Sequence, residues 1–216
     1  MSYSCIIALN SRKDSIESFF PLKKVFDEVF IVSPDSDMKL RLPANFKRLT
    51  SNKSNRAHQF NLGAHEAQSE YICFLSPDAD IDTENFARLR LLLKPKTLFY
   101  FNFKFKKPCS SFYALNESLI NFRSDTLGLP FINQSFSLDK KSFFETGAFS
   151  EGVIQNEDAE FIRRWKANGN PVKKAKGDIS APPSNLNASW LENSYKDSLW
   201  SLKFAIGKEP RELKLK

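Results

Sequence analysis

The sequence predicts an α/β domain with a mostly parallel, mixed sheet flanked by helices. Three observations carry this. Over the first ninety or so residues, short apolar runs alternate with helical patterns in the order β-α-β-(β)-α-β-α. Two of those runs, "DEVFIVSPDSD" and "EYICFLSPDADID", stop abruptly at Ser-Pro and continue into acidic residues, as buried strands opening into loops do. The chain has 216 residues, 41% of them hydrophobic, and no linker or internal repeat, which fits one domain with a full core.

Each element has a local reason. "YSCIIALNS" is an apolar run ending in Asn-Ser, a buried strand and its loop. "KDSIESFFPLKKV" has helical spacing interrupted at Pro21. "DEVFIVSPDSD" is the second strand, and "ANFKRLTS" holds a short third. "SNRAHQFNLGAHEAQ" is a helix: Ala57, Phe60, Ala64 and Ala67 share one face, and Ser54 or Asn55 is its N-cap. "EYICFLSPDADI" is the next strand, and "DTENFARLRLLLK" a helix capped by Asp82 or Thr83. "TLFYFNFKFKK" alternates from Leu98 to Phe105 and suits a long strand, with antiparallel pairing one option. "SSFYALNESLINFRSDTL" is helical. "INQSFSLDKKSFFETGAF" holds a strand and a short helix ending near Gly147. "NEDAEFIRRWKANGN" is a helix started by Asn156 and stopped by Gly169. "KKAKGDIS" is a strand. From Ser189 the tail is amphipathic and helical, with Trp190, Leu191, Tyr195, Leu199, Trp200 and Phe204 apolar. Most of the 21 phenylalanines are expected in the core.

The net charge of +7 favours anionic partners such as phosphorylated ligands or a membrane surface. No zinc-finger spacing or basic heptad region appears, so nucleic acid is not expected. Cys5 and Cys73 lie in strand-like runs and read as small buried hydrophobes, and no CxxC occurs. His58 and His65 lack partners at metal-ligand spacing and read as packing or surface residues. The start "MSYSCIIALN" has no basic region, and no apolar run approaches the roughly 18 residues of a spanning helix. The expected location is cytoplasmic, with peripheral contact at the inner membrane face as an option left by the Lys-rich tail.

The carboxylates carry the chemistry. In open α/β sheets, ligands bind at the carboxyl ends of the strands. Asp78, Asp80 and Asp82 follow such an end. They offer hard oxygen ligands to Mg2+ or Mn2+, or else serve as turn and cap residues. "QNEDAEF" places Glu157 and Asp158 in the first turn of a helix, where they either complement the dipole or act as a general base. A metal–diphosphate site beside a carboxylate base is what group transfer from an activated diphosphate sugar requires.

The segment Ser54 to Ala64, "SNRAHQFNLGA", with "ICFLSPDAD" after it, resembles the family 2 glycosyltransferases of the GT-A fold. It is most similar to the small bacterial group associated with radical-SAM and selenodomain proteins. Those carry an Arg-Ala-x-Gln-x-Asn-x-Gly-Ala helix leading into a strand that ends in His-Ala-Asp or Asp-x-Asp. "NFRSDTLGLPFINQSFSLDKKSFFETGAFSE" and "NEDAEFIRRWKANG" follow the group's later patterns, in order and at similar spacing. The resemblance implies a single GT-A domain over 1–216, with a nucleotide-binding half at 1–95 and an acceptor-side half at 96–216 that includes the helical tail. It implies a nucleotide-diphosphate sugar donor, a glycan or lipid-linked acceptor, and Mn2+ or Mg2+. It places Ala8, Asn10, Asp35, Arg56, Asn61, Asp78 and Gln134 around the nucleotide sugar. It gives the metal to Asp78, with Asp78-Ala79-Asp80 as the alternative triplet, and catalysis to Asp158 with Glu157 beside it. Arg164 matches a structural arginine. The chain departs from the pattern at Ser76 (the first acid of Asp-x-Asp), at Ile132-Asn133 before Gln134, at Ser33-Pro34-Asp35-Ser36, and at Pro182-Pro183 in place of two arginines. The expected activity is inverting sugar transfer, the alternative a weakened or inactive binder of nucleotide sugar or glycan. A nucleotidyltransferase ranks last, because "ALNSRKDS" has no Gly-rich phosphate loop.

Overall fold

A computed structural model describes residues 1–9, 16–34, 42–106, 111–153 and 156–182. The tail from Ser189 lies outside the described residues. Among the described residues, seven strands form one sheet: β1 (Tyr3–Ala8), β2 (Glu28–Ser33), β3 (Phe46–Thr50), β4 (Tyr71–Leu75), β5 (Leu98–Phe105), β6 (Phe136–Asp139) and β7 (Val172–Ala181). Their order is β3-β2-β1-β4-β6-β5-β7. β1 to β4 are mutually parallel, while β6 runs antiparallel to both neighbours, β4 and β5. β5 therefore runs with β4, and β7 pairs parallel to β5. β5 makes the antiparallel pairing considered for it with β6, and a parallel one with β7. Leu98 to Phe101 are all buried rather than alternating, because both faces of β5 are covered. The architecture is a mixed sheet flanked by helices.

Among the described residues, five α-helices connect the strands: α1 (Arg56–Glu66), α2 (Thr83–Arg90), α3 (Ser111–Leu127), α4 (Lys140–Glu145) and α5 (Glu157–Ala167). The helix expected around Pro21 is a 3₁₀ run, Glu17–Lys24. Proline cannot donate to an i−4 carbonyl and its ring clashes with one, so the tighter winding wins. Asn55 caps α1 through its side chain, accepting from the His58 N–H, and Asp82 caps α2 by accepting from the Glu84 N–H. α5 ends as expected at Gly169. There φ is +75°, and the N–H groups of Gly169 and Asn170 return to the carbonyls of Lys166 and Trp165.

β1 shows why its run is continuously apolar. Cys5 and Ile7 face one core layer, with Phe19, Phe26, Phe86 and Phe101. Ile6 and Ala8 face the other, with Phe60, Phe74, Phe161 and Trp165. Gly63 lets α1 lie close on the second face. A Cβ there would sit 2.4 Å from Ile6 Cγ2 and 3.3 Å from Val32 Cγ2. Gly63→Ala is therefore expected to lose about 1–3 kcal/mol in denaturant unfolding despite the better helix propensity of alanine. An unchanged midpoint would show that the sheet yields there. Among the described residues, no helix is long and apolar enough to cross a membrane.

Candidate functional site

The strand order reverses between β1 and β4, which makes their carboxyl ends the switch point where such sheets bind ligands. Ala8 is fully buried at the end of β1, and Leu9 continues it by donating to the Val32 carbonyl. Gln59, one turn into α1, donates to the Leu9 carbonyl at 3.1 Å. Its own Oε1 is buried without a hydrogen-bond partner. Gln59 thus fixes the path of the chain as it leaves β1. Asn10 and Asp35 lie outside the described residues.

The three aspartates after β4 have three different settings. Asp78 is exposed in the turn closed by the Ala79 N–H to the Ser76 carbonyl. Asp80 bridges to β7: its N–H donates to the Ser180 carbonyl at 2.6 Å, and Lys106 pairs with its carboxylate at 3.0 Å. Asp82 is the α2 cap. Among the described residues, no three His, Cys, Asp or Glu side chains cluster as a metal site.

Glu157 and Asp158 open α5 and are both buried. Asp158 Oδ2 accepts from the Ile132 N–H at 2.9 Å and Oδ1 from the Ala159 N–H at 2.7 Å. Ile132 lies just before β6, whose first residue, Phe136, pairs with Phe74 near the end of β4. That places Asp158 at the same edge as Asp78. Arg56, the first residue of α1, donates to Glu157 Oε1 at 2.6 Å. Burial raises the Glu157 pKa, Arg56 opposes the rise, and the neighbouring Asp158 adds to it. A carboxyl pushed upward beside a second carboxylate is the arrangement that separates acid and base roles in active sites. Asn156 precedes α5 in the left-handed region (φ +64°) and does not cap it through its side chain.

Other residues singled out from sequence are held by the scaffold. Gln134 is fully buried, accepting from the Ser124 hydroxyl at 2.6 Å and donating to the Phe101 carbonyl at 3.1 Å. Asn61 pairs with both backbone groups of Phe149, at 2.8 and 3.0 Å. Arg164 binds Glu160 and the carbonyls of Thr146 and Ala148, consistent with a structural role. His65 is exposed, whereas His58 joins a cluster the sequence reading missed. Glu151 binds His58 Nδ1 at 2.9 Å and Lys53 Nζ at 2.8 Å. Lys53 is the chief cause holding the Glu151 carboxyl down at about 2. Its contribution to stability is complete above the ordinary glutamate range near pH 4.5 and is lost as pH falls towards about 2. The stability difference between wild type and Glu151→Gln should therefore shrink over that window. A difference independent of pH would contradict the ion-pair account.

A groove of about 730 Å³ lined by Met1, Tyr71, Lys96 and Phe144 opens at the other edge of the sheet, where β4 begins and β6 ends. It is remote from the carboxylates.

No protein-family model matches the chain, and no curated protein matches it. The fold is shared with solved structures. The crystal structure of S. aureus TarS superposes with a TM-score of 0.61 at 16% identity, covering 99% of this chain and 50% of that one. A TarS 1–349 fragment in complex with UDP gives 0.62 at 16%, covering 99% and 68%. A mycobacterial protein gives 0.63 at 13%, covering 97% and 76%. This chain therefore spans half the length of the TarS chain, and the likeness is one of fold.

Proposed function

We propose that the chain is an inverting glycosyltransferase of the GT-A kind that takes its sugar from a nucleotide-diphosphate donor with the help of a divalent metal. The observation that carries the reading is the buried Glu157–Asp158 pair with Arg56 at the start of α5; Asp78 follows the carboxyl end of β4. The fold likeness to a UDP-bound chain supports it, as does the order of sequence motifs. Placement nearest the radical-SAM-associated group rests on those motifs alone.

In this mechanism Asp158 takes the proton of an acceptor hydroxyl. The oxygen attacks the anomeric carbon from the face opposite the leaving group, and the nucleoside diphosphate departs with the bonding electrons. Glu157 and Arg56 set the charge around that base. Mg2+ and Mn2+ take one or two protein carboxylates and complete their shell with water and phosphate oxygens, so a sparse acidic set fits them. Asp78 would hold the ion, with Asp80 as its neighbour already balanced by Lys106. The ion supplies charge neutralisation on the departing diphosphate.

A second reading is a non-catalytic binder of nucleotide sugar. It is favoured by Asp158 itself, whose oxygens both accept backbone N–H groups at 3% exposure. Calorimetric titration of UDP, GDP and dTDP with and without Mn2+ tests the donor site common to both readings. Mn2+ is expected to tighten one nucleotide by at least about tenfold, some 1.4 kcal/mol, and Asp78→Ala to remove that gain. No binding of any nucleoside diphosphate would overturn both.

A further inference from the structure

With Asp158 read as the base of the proposed transfer, we infer that Gln134 is a positioning residue: it holds the turn whose peptide N–H fixes the Asp158 carboxylate. Asp158 Oδ1 accepts from the Ala159 N–H of its own helix at 2.7 Å. Oδ2 accepts from the Ile132 N–H at 2.9 Å. Among the described residues this is the one hydrogen bond that reaches the carboxylate from outside α5. The direction in which Asp158 points is therefore set by where Ile132 lies.

Ile132 opens the 3₁₀ turn Ile132–Gln134, just before β6. Gln134 ties this turn from inside. Its Oε1 accepts from the Phe131 N–H at 2.9 Å and from the Ser124 hydroxyl of α3 at 2.6 Å. Its Nε2 donates to the Phe101 carbonyl of β5 at 3.1 Å. Gln134 has no exposed surface, so it acts on the site through what it holds. The N–H that it grips, that of Phe131, directly precedes the one that grips Asp158. Phe131 is held a second time by Arg123, whose guanidinium lies 3.4 Å from the ring centroid at 5% exposure. Two consecutive residues of α3, Arg123 and Ser124, thus clamp the turn that aims the base. Buried polar networks that are satisfied in this way fix a single geometry. A reacting group displaced by about 1 Å can cost about 10²-fold in rate.

The test compares Gln134→Leu with the wild type by amide hydrogen exchange and by donor turnover. Leucine keeps the bulk and removes both the acceptor and the donor. Exchange of the Ile132 amide is expected to quicken at least about tenfold more than that of the β4 amides, which a general loss of stability would speed equally. For donor turnover, kcat is expected to fall at least about tenfold with donor KM within about threefold of wild type. Gln134→Glu should restore both readouts, because burial favours the protonated carboxyl, which accepts and donates as the amide does. Ser124→Ala deletes one hydroxyl and should move both readouts the same way by about threefold, which keeps the test open should Gln134→Leu fail to fold. Ile132 exchange that rises no more than that of β4, or an unchanged kcat, would overturn the role given to Gln134. A wild type that turns over no donor would sink the transferase reading instead, and the exchange comparison would still decide whether Gln134 holds Asp158.

Discussion

Asp158→Asn is expected to lower donor turnover by about 10²–10⁴-fold while leaving nucleoside diphosphate binding within a few-fold of wild type. The substitution keeps the shape and removes the proton acceptor. One oxygen of the new amide still accepts a backbone N–H. The other position becomes an NH2 facing a second N–H, so one bond is lost, worth about 1–3 kcal/mol when buried. That is less than a domain of this size needs to unfold, and retained nucleotide binding is the control for it. A variant that turns over donor at the wild-type rate would remove Asp158 from the mechanism.

The second large effect is on stability, at Arg56. Its guanidinium is the opposite charge that counters the rise burial imposes on the Glu157 carboxyl, in a site only 4% exposed. Removing one partner of a buried pair commonly costs about 3–5 kcal/mol. Because Arg56 is itself about a third exposed, Arg56→Ala is expected to cost about 2–3 kcal/mol near neutral pH. The pH dependence follows from the raised Glu157 pKa. Between the ordinary glutamate value and the raised one, the folded state holds more protons than the unfolded state. Stability then falls as pH rises through that window. Arg56→Ala should deepen the fall, and Glu157→Gln should abolish it. The double variant Arg56→Ala/Glu157→Gln should recover most of the loss, since no buried charge remains unpaired. A double variant as unstable as the sum of the singles would show that the two residues are not coupled.

Local chemistry was legible in the sequence. Asn55, Asp82 and Gly169 act within three or four residues of themselves, so the helix boundaries they set could be read directly. The β-α alternation gave the parallel half of the sheet. What escaped was long-range. β6 is four residues long, and its direction is decided by pairing with Tyr71 to Phe74, more than sixty positions earlier. Glu151 is an ordinary acidic residue in sequence, and only the fold brings Lys53 and His58 to it across more than ninety positions. Gln59 sat inside the quoted helix pattern, but its hold on the Leu9 carbonyl spans fifty positions. Of the three acids after β4, spacing could not separate the cap, Asp82, from the lysine-paired Asp80 and the exposed Asp78.

The most direct measurement is the release of free nucleotide from a panel of UDP-, GDP-, CMP- and dTDP-sugars with Mn2+, run beside Asp158→Asn. The account predicts slow hydrolysis of one donor by the wild type and none by the variant. Equal release by both proteins, or tight donor binding without release even when candidate acceptors are supplied, would contradict it.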